Sequence, residues 1–548
     1  MVFARYIALV GLTLSAPLAA QTAAPGALVY SLERMKTVEQ ALASDDFAGR
    51  APASPSEAKV VALLTAQFKA VGLKPGNHGS WVQNVPTVSI EAQNRSPLTI
   101  GGGLKPLQFA FGTQMVAASF RAVPHTDFRN SPLVFVGYGI NAPELGWNDY
   151  AGLDMHGKTA VILINDPDYA EATTQGLFKG RRMTYYGRWT YKFEEAARQG
   201  ATAALIIHDT FPAAYGWNVV RSSWSGPQHY VASIGNGMDQ TQANGWIDQD
   251  AAKAIFAAAG RDFVGLTAAA KQKGFRAVPL DLTASLSFDN AITRSNSRNV
   301  IGVLPGKSRP NEYVLYSAHW DHLGHCTPVK GDGICNGAVD NGTGVSVLIA
   351  LAEAHAKAGR AARSLVFFSP TLEESGLLGS EYYAQHPVFP LAQTVGGVNM
   401  DALYPTGRTH DEMAYGGDKS ELNAVFDRAL TQMGMHQSPE DHPERGHYYR
   451  SDHFPLAKRG VPMLHLKRAN DMMVGGVAAG EAADADYVQN HYHAPSDEYS
   501  SNWDWSGIRQ DVELFYRIGR DLAMSNAWPN FHKGDEFRQV EDRSRAAK

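Results

Sequence analysis

The sequence predicts an α/β fold: a mostly parallel, mixed sheet flanked by helices and interrupted by an inserted, β-rich module. Two textures along the chain lead to this expectation. From about Ser297 onward, short apolar runs alternate with amphipathic helical patterns, the signature of β–α units and a parallel sheet. From Ser131 to about Phe288, short β-branched runs are separated by turn residues, and no cluster of metal-ligand side chains occurs there. A length of 548 residues makes two or three units the expectation.

The first twenty residues read as an export signal. Arg5 supplies the positive start, Tyr6 to Leu14 a short apolar run, and Pro17-Leu18-Ala19-Ala20 the small residues before Gln21. The run falls short of the ~20 apolar residues a spanning helix needs, so no stable membrane insertion is expected. A helix is expected from Ser54, as cap, with Pro55 in the first position and Glu57 closing an S-x-x-E capping box; Gly72 ends it. Within the module, Leu133 to Tyr138 and Thr159 to Ile164 read as strands, and Lys192 to Gln199 as a helix ended by Gly200. Further on, strands are expected at Tyr313 to Ala318, Leu365 to Phe368, Thr394 to Met400 and Val461 to Leu466. Val345, Leu348, Ile349 and Ala352 mark a helix between the first two. The segment from Pro529 to Lys548 is polar and charged and reads as a poorly ordered tail.

Composition excludes some function classes. Lys+Arg of 49 against Asp+Glu of 54 leaves a net charge of -5, which offers no general attraction to nucleic acid or anionic membrane. Cys326 and Cys335 are the two cysteines; in an exported chain, a pair within one loop is a candidate disulfide.

In open α/β sheets, ligands bind beyond the carboxyl ends of the strands. The residues at those positions are His319-Trp320-Asp321-His322, then Glu373-Glu374, then Asp401, with Asp340-Asn341 at a helix start and His493 after an irregular segment. Imidazoles and carboxylates together suit zinc. Two histidines and three carboxylates are too many for one tetrahedral ion with an open position, and fit two ions if one carboxylate bridges them. Glu373 is then the spare carboxylate for general-base work, and Asp321 is placed to accept the second ring N–H of His319.

Six ordered strings carry a resemblance: S-A-H-W-D-H-L-G from Ser317, N-G-A-V-D-N-G-T-G from Asn336, T-L-E-E-S-G-L-L-G-S from Thr371, N-M-D-A from Asn399, R-S-D-H-F from Arg450 and H-A-P-S-D from His493. Through them the chain resembles the M28 metallopeptidases, in the branch with an inserted protease-associated (PA) domain. The resemblance implies a zinc-exopeptidase fold and two Zn2+ per chain. His319 and Asp401 would hold one ion and Glu374 and His493 the other, with Asp340 bridging, Glu373 as base and Asp321 behind His319. It also implies that the Asp340-Asn341 bond is cis. The implied organisation is a signal at 1–20, an N-terminal part of the peptidase domain at 21–130, a PA-like domain at 131–290, the catalytic domain at 291–526 and a polar tail at 527–548.

The function this implies is hydrolysis of N-terminal residues from peptides through a metal-bridging hydroxide, by an exported enzyme that is periplasmic or secreted after signal cleavage. Tyr449, Ser451 and His453 are the expected substrate contacts. A metallocarboxypeptidase, a glutaminyl-cyclase-like acyltransferase and a non-catalytic PA-bearing ectodomain are the alternatives. Arg408, Arg450, Lys467 and Arg468 are the cations that would serve the first of these.

Overall fold

Residues 28–546 are described by the computed structural model of the chain; the export signal expected at 1–20 lies outside them. No helix among the described residues is long and apolar enough to cross a membrane.

Four strands run parallel at the centre of the catalytic sheet, in the order Arg363–Ser369, Arg309–Ser317, Thr394–Asn399, Met463–Arg468. Antiparallel strands flank them: Val278–Leu304 on one side and Asp411–Tyr415 on the other. The central strands read as continuous apolar runs because helices and loops cover both faces. Alternate residues serve opposite cores: Val314 and Tyr316 join one with the helices Gly344–Lys357 and Trp505–Met524, while Leu315 joins another with Val366, Phe368 and Met463. The helix Gly344–Lys357 is buried along nearly its whole length, which fixes the turn that precedes it, including Asp340.

The module expected from the sequence extends the same hydrogen-bonded sheet. His125–Phe135, Thr159–Leu163, Ala203–Ile207 and Ala243–Ile247 run parallel, and Met115–Ala118 adds an antiparallel edge. The expected boundaries at 130/131 and 290/291 are not where the pairing changes. Met115–Ala118 pairs inside the module, and Leu98–Gly101 pairs with residues 283–285 of its last strand. That strand, Val278–Leu304, is 27 residues long and continuous. Its first part pairs with His125–Phe135 and its last part with Arg363–Ser369, so one backbone runs through both units.

Two local expectations are corrected. The second helix spans Glu57–Ala70 and begins later than the capping box required. Glu57 instead accepts from the Ala53 N–H at 2.6 Å and the Ser297 hydroxyl at 2.8 Å and pairs with Arg298 at 2.7 Å. It therefore fastens the helix start to the long strand. The C-terminal segment is also no loose tail: Arg538–Ala546 is a helix, and Phe531, Phe537 and Glu541 are buried. Its charged residues misled because half of them face the protein; Lys419 pairs with Asp535 and Glu536, and Arg545 with Glu541. Phe537→Ala should lower unfolding free energy by about 3–5 kcal/mol, read from the shift in urea midpoint. A change below about 1 kcal/mol would show that this segment is not docked in solution.

Candidate metal centre

The parallel strands bring their carboxyl ends to one rim. His319 and Asp321 follow Arg309–Ser317, Glu373 and Glu374 follow Arg363–Ser369, and Asp401 follows Thr394–Asn399. Asp340 lies in the turn before the helix Gly344–Lys357, and His493 follows the helix Gly476–Asn490. All five candidate ligands and Glu373 thus face one cleft, as the strand-end rule requires.

Their geometry divides into two triads. His319 Nε2 is 3.4 Å from Asp340 Oδ1 and 3.2 Å from Asp401 Oδ1. His493 Nε2 is 3.3 Å from Asp340 Oδ2 and 3.1 Å from Glu374 Oε2. Ligands about 2.0–2.1 Å from a tetrahedral zinc are separated by about 3.3–3.4 Å along each tetrahedral edge. The four separations match that edge, and Asp340 presents a different oxygen to each triad. The donor set therefore fits a metal pair, with His319 and Asp401 on one side, Glu374 and His493 on the other, and Asp340 between.

Electrostatics follow from packing so many carboxylates out of water. Burial opposes charge on Asp340, yet His319 and His493 hold its carboxyl well below the usual range. Burial would lower His319, but Asp401, Glu373 and Asp340 carry it well above its ordinary value. For His493 burial is likewise outweighed by Asp340 and Glu374, which raise it to about 10. Burial, together with the nearby charges of Asp401, Glu374 and Asp452, pushes Glu373 well above the carboxylate range. Its side chain makes no hydrogen bond or ion pair with the described residues.

A second layer holds the ligands. His319 Nδ1 faces the main-chain carbonyl of Asp321 at 3.1 Å, while the Asp321 carboxylate, expected as its partner, stands 3.8 Å away. That carboxylate accepts instead from the N–H groups of Glu373 and Glu374, at 3.1 and 3.4 Å, and so sets the loop carrying base and ligand. The Asp340-Asn341 bond is cis. Around it, Asp497 accepts from the N–H groups of Val339 and Asp340, at 2.9 and 3.1 Å. Asn341 donates to the Met400 carbonyl beside Asp401. Arg50, fully buried, donates to the carbonyls of Trp320, Asn336 and Gly337 at 2.8, 2.5 and 2.8 Å. The disulfide Cys326–Cys335 closes the hairpin between His319 and Asp340, with Cys335 Sγ 3.7 Å from the His493 carbonyl.

His322 is a site residue that sequence reasoning passed over. Its Nδ1 is 2.7 Å from Glu374 Oε1, a hydrogen-bond length that leaves Oε2 for the second triad. His322, Asp340 and Glu374 also offer atoms lying within 4.8 Å of one another. The available signal was a second histidine in H-W-D-H, three residues past His319.

The expected substrate contacts fare unequally. Ser451 donates to Asp401 Oδ2 at 2.6 Å and accepts from Asn399, so it orients a candidate ligand. Tyr449 turns away; its hydroxyl donates to Glu536 at 2.8 Å and its ring is buried among Tyr185 and Phe454. His453 is fully buried against Tyr448 and His465. Of the cations, Arg468 binds the carbonyls of Thr406 and Gly407 and the Asp511 carboxylate, and Lys467 pairs with Asp484. Arg450 is exposed.

The sheet thus delivers imidazoles and carboxylates to one rim at separations that fit metal ligands. Residues 299–517 match the profile described as Peptidase family M28. The rat Aminopeptidase NAALADL1 (Rattus norvegicus) is 32% identical over 129 residues, 22% of this chain and 16% of the relative. A Probable zinc metalloprotease of Pyrenophora teres f. teres is 36% identical over 108 residues, 20% of this chain and 23% of the relative. The chain therefore spans less than a quarter of the length of each. Among solved structures, an aminopeptidase from Aneurinibacillus sp. strain AM-1 is 20% identical, with a TM-score of 0.48 over 91% of this chain and 95% of that one.

Asp497→Asn leaves only one oxygen to accept from two N–H groups and should loosen the Asp340 turn. Zinc affinity, measured by competition with a chelator, should fall about 10- to 100-fold. Unchanged affinity would mean that the turn holds its shape without Asp497.

Proposed function

We propose that the chain is an exported, two-zinc exopeptidase that removes N-terminal residues from peptides. The observation that carries the reading is Asp340, whose two oxygens each stand at a tetrahedral-edge distance from a separate histidine. Zinc ions bound there would polarise the scissile carbonyl and bring the pKa of water toward about 7. His319 and Asp401 would hold one ion, Glu374 and His493 the other, and Asp340 both. Glu373 lies beside Glu374 with its carboxylate otherwise unengaged, which fits it to take a proton from water and return it to the departing amine. His322 and Ser451 fix the orientation of Glu374 and Asp401, so each ligand offers one defined oxygen.

The N-terminal direction rests on the family match and on a cleft lined with carboxylates, which favours a free α-amine. The signal-like residues 1–20 and the disulfide Cys326–Cys335 support export, to the periplasm or beyond. The module containing residues 131–278 is proposed as a PA-type domain covering the cleft.

The decisive comparison is a Leu-led peptide and its N-acetylated twin, incubated with zinc-loaded protein and followed by mass spectrometry. Stepwise loss of N-terminal residues from the free peptide alone is expected; trimming of both from the C-terminus would overturn the direction. Glu373→Gln should lower kcat about 10²- to 10⁴-fold while two zinc ions per chain remain by elemental analysis. Loss of metal along with activity would reassign Glu373 as a ligand.

A further inference from the structure

The proposed function rests on Asp340, and the turn that carries it has a support besides Arg50 and Asp497. The N-terminal helix Leu32–Leu42 is capped by Ser31, whose hydroxyl accepts from the Arg34 N–H at 3.1 Å. Its buried face is Met35, Val38, Glu39 and Leu42, the i, i+3, i+4, i+7 spacing of an amphipathic helix. Met35, Val38 and Leu42 join the core that holds Val345 and Leu348 of the helix Gly344–Lys357. Glu39 occupies the remaining place in that stripe, where packing alone calls for an apolar side chain.

Glu39 is fully buried, and neither of its oxygens has a hydrogen-bond partner among the described residues. Ser346 approaches it, but that hydroxyl donates to the Thr343 carbonyl at 2.9 Å. Arg50 donates to main-chain carbonyls instead, among them that of Leu42 at 3.0 Å. Burial carries the Glu39 carboxyl well above the ordinary carboxylate range despite the pull of Arg50, so at neutral pH it is an uncharged group. Burying a polar group without a partner is costly, and the helix by itself gains nothing from it.

What the carboxyl does touch is the Asp340 turn. A methyl group built on Gly342 would lie 2.5 Å from Glu39 Oε1 and 3.1 Å from its Cδ and Oε2, well inside contact distance. The backbone of Gly342 is not in the left-handed region, so no left-handed turn calls for glycine there. The glycine leaves room, and the carboxyl occupies it. Gly342 in turn donates its N–H to the Gly337 carbonyl at 3.2 Å, which closes the turn around Asp340. We propose that Glu39 is a positioning residue for the metal pair: its carboxyl fills the side-chain space of Gly342 and sets the turn from which Asp340 faces both triads. This rests on the two-zinc reading and extends the frame of the metal centre to the N-terminal helix.

The test is zinc affinity, measured by chelator competition, with the urea midpoint of the zinc-free protein followed alongside. Gly342→Ala drives a methyl into the carboxyl and should weaken zinc binding about 10- to 100-fold. Adding Glu39→Ala to that variant frees the space and should restore most of the affinity, a coupling that independent sites do not show. Glu39→Ala alone removes the brace and should weaken binding about 10-fold. Glu39→Gln keeps size and neutrality and should bind zinc as the wild type does. The contrast between these two keeps the test decisive if Gly342→Ala does not fold. Wild-type affinity in Glu39→Ala, or a double variant no better than Gly342→Ala, would overturn the proposal. So would affinities that merely follow the zinc-free urea midpoint across the variants, since Glu39 would then serve stability alone. Wild-type protein that binds no zinc would instead overturn the two-zinc reading, and this proposal with it.

Discussion

Asp340, Glu373, Glu374 and Asp401 share one poorly hydrated cleft, and much of the catalytic unit is arranged around the repulsion among them. Two like charges about 4 Å apart near a protein surface repel by roughly 4 kcal/mol. Several such pairs cannot all stay ionised without cations between them. Imidazoles meet part of this demand: His319 and His493 approach the same oxygens of Asp340, Asp401 and Glu374 that a metal pair would use. The cluster is thus a site of unspent negative charge held at fixed spacing. A divalent pair would relieve it without further movement, which is the sense in which such a centre is preorganised.

Fixed spacing requires a rigid frame, and the frame is built mostly from main-chain groups. Arg50 gathers carbonyls from the His319 and Asp340 loops, while Asp497 gathers N–H groups from the Asp340 turn. A cation on the carbonyl side and an anion on the amide side clamp the turn from opposite directions. Each is buried beside groups of complementary polarity, so neither is an isolated buried charge. Removing either would expose several unsatisfied main-chain groups at once, which is why the frame matters as much as the ligands.

The parts of this arrangement legible in the sequence are those set by periodicity and strand ends. Continuous apolar runs located the central strands to within two residues, except that the strand expected from Tyr313 begins at Arg309, and the residues just past them are the ones the sheet collects. The frame was not legible, because its partners are remote in sequence and chemically ordinary. Arg50 reads as one basic residue in Asp45–Arg50, although it binds carbonyls some 270 to 287 positions away. The Asp321 carboxylate was expected to accept the His319 ring N–H, but loop geometry puts its main-chain carbonyl there at 3.1 Å and leaves the carboxylate 3.8 Å away. The capping box failed because Glu57 had a better use: Ser297 and Arg298 on the long strand compete for its carboxylate. The C-terminal helix was misread because its charge pattern does not reveal that Glu541 and Glu536 point inward.

The module boundary carries a similar lesson with a functional consequence. Texture changes near Ser131, yet pairing ties Leu98–Gly101 and Met115–Ala118 to the module and runs Val278–Leu304 along both parts of one sheet. A continuous strand leaves little freedom for the two units to separate there. The second junction is equally engaged: Tyr185 packs on Tyr449, whose hydroxyl binds Glu536, and Glu536 binds Lys419. A shared strand, a buried aromatic contact and a docked C-terminal segment all hold the two parts at one separation. Rigidity of the seam is therefore a property of the shared strand: the strand that pairs with His125–Phe135 also pairs with Arg363–Ser369, and hence borders the loop that carries Glu373 and Glu374.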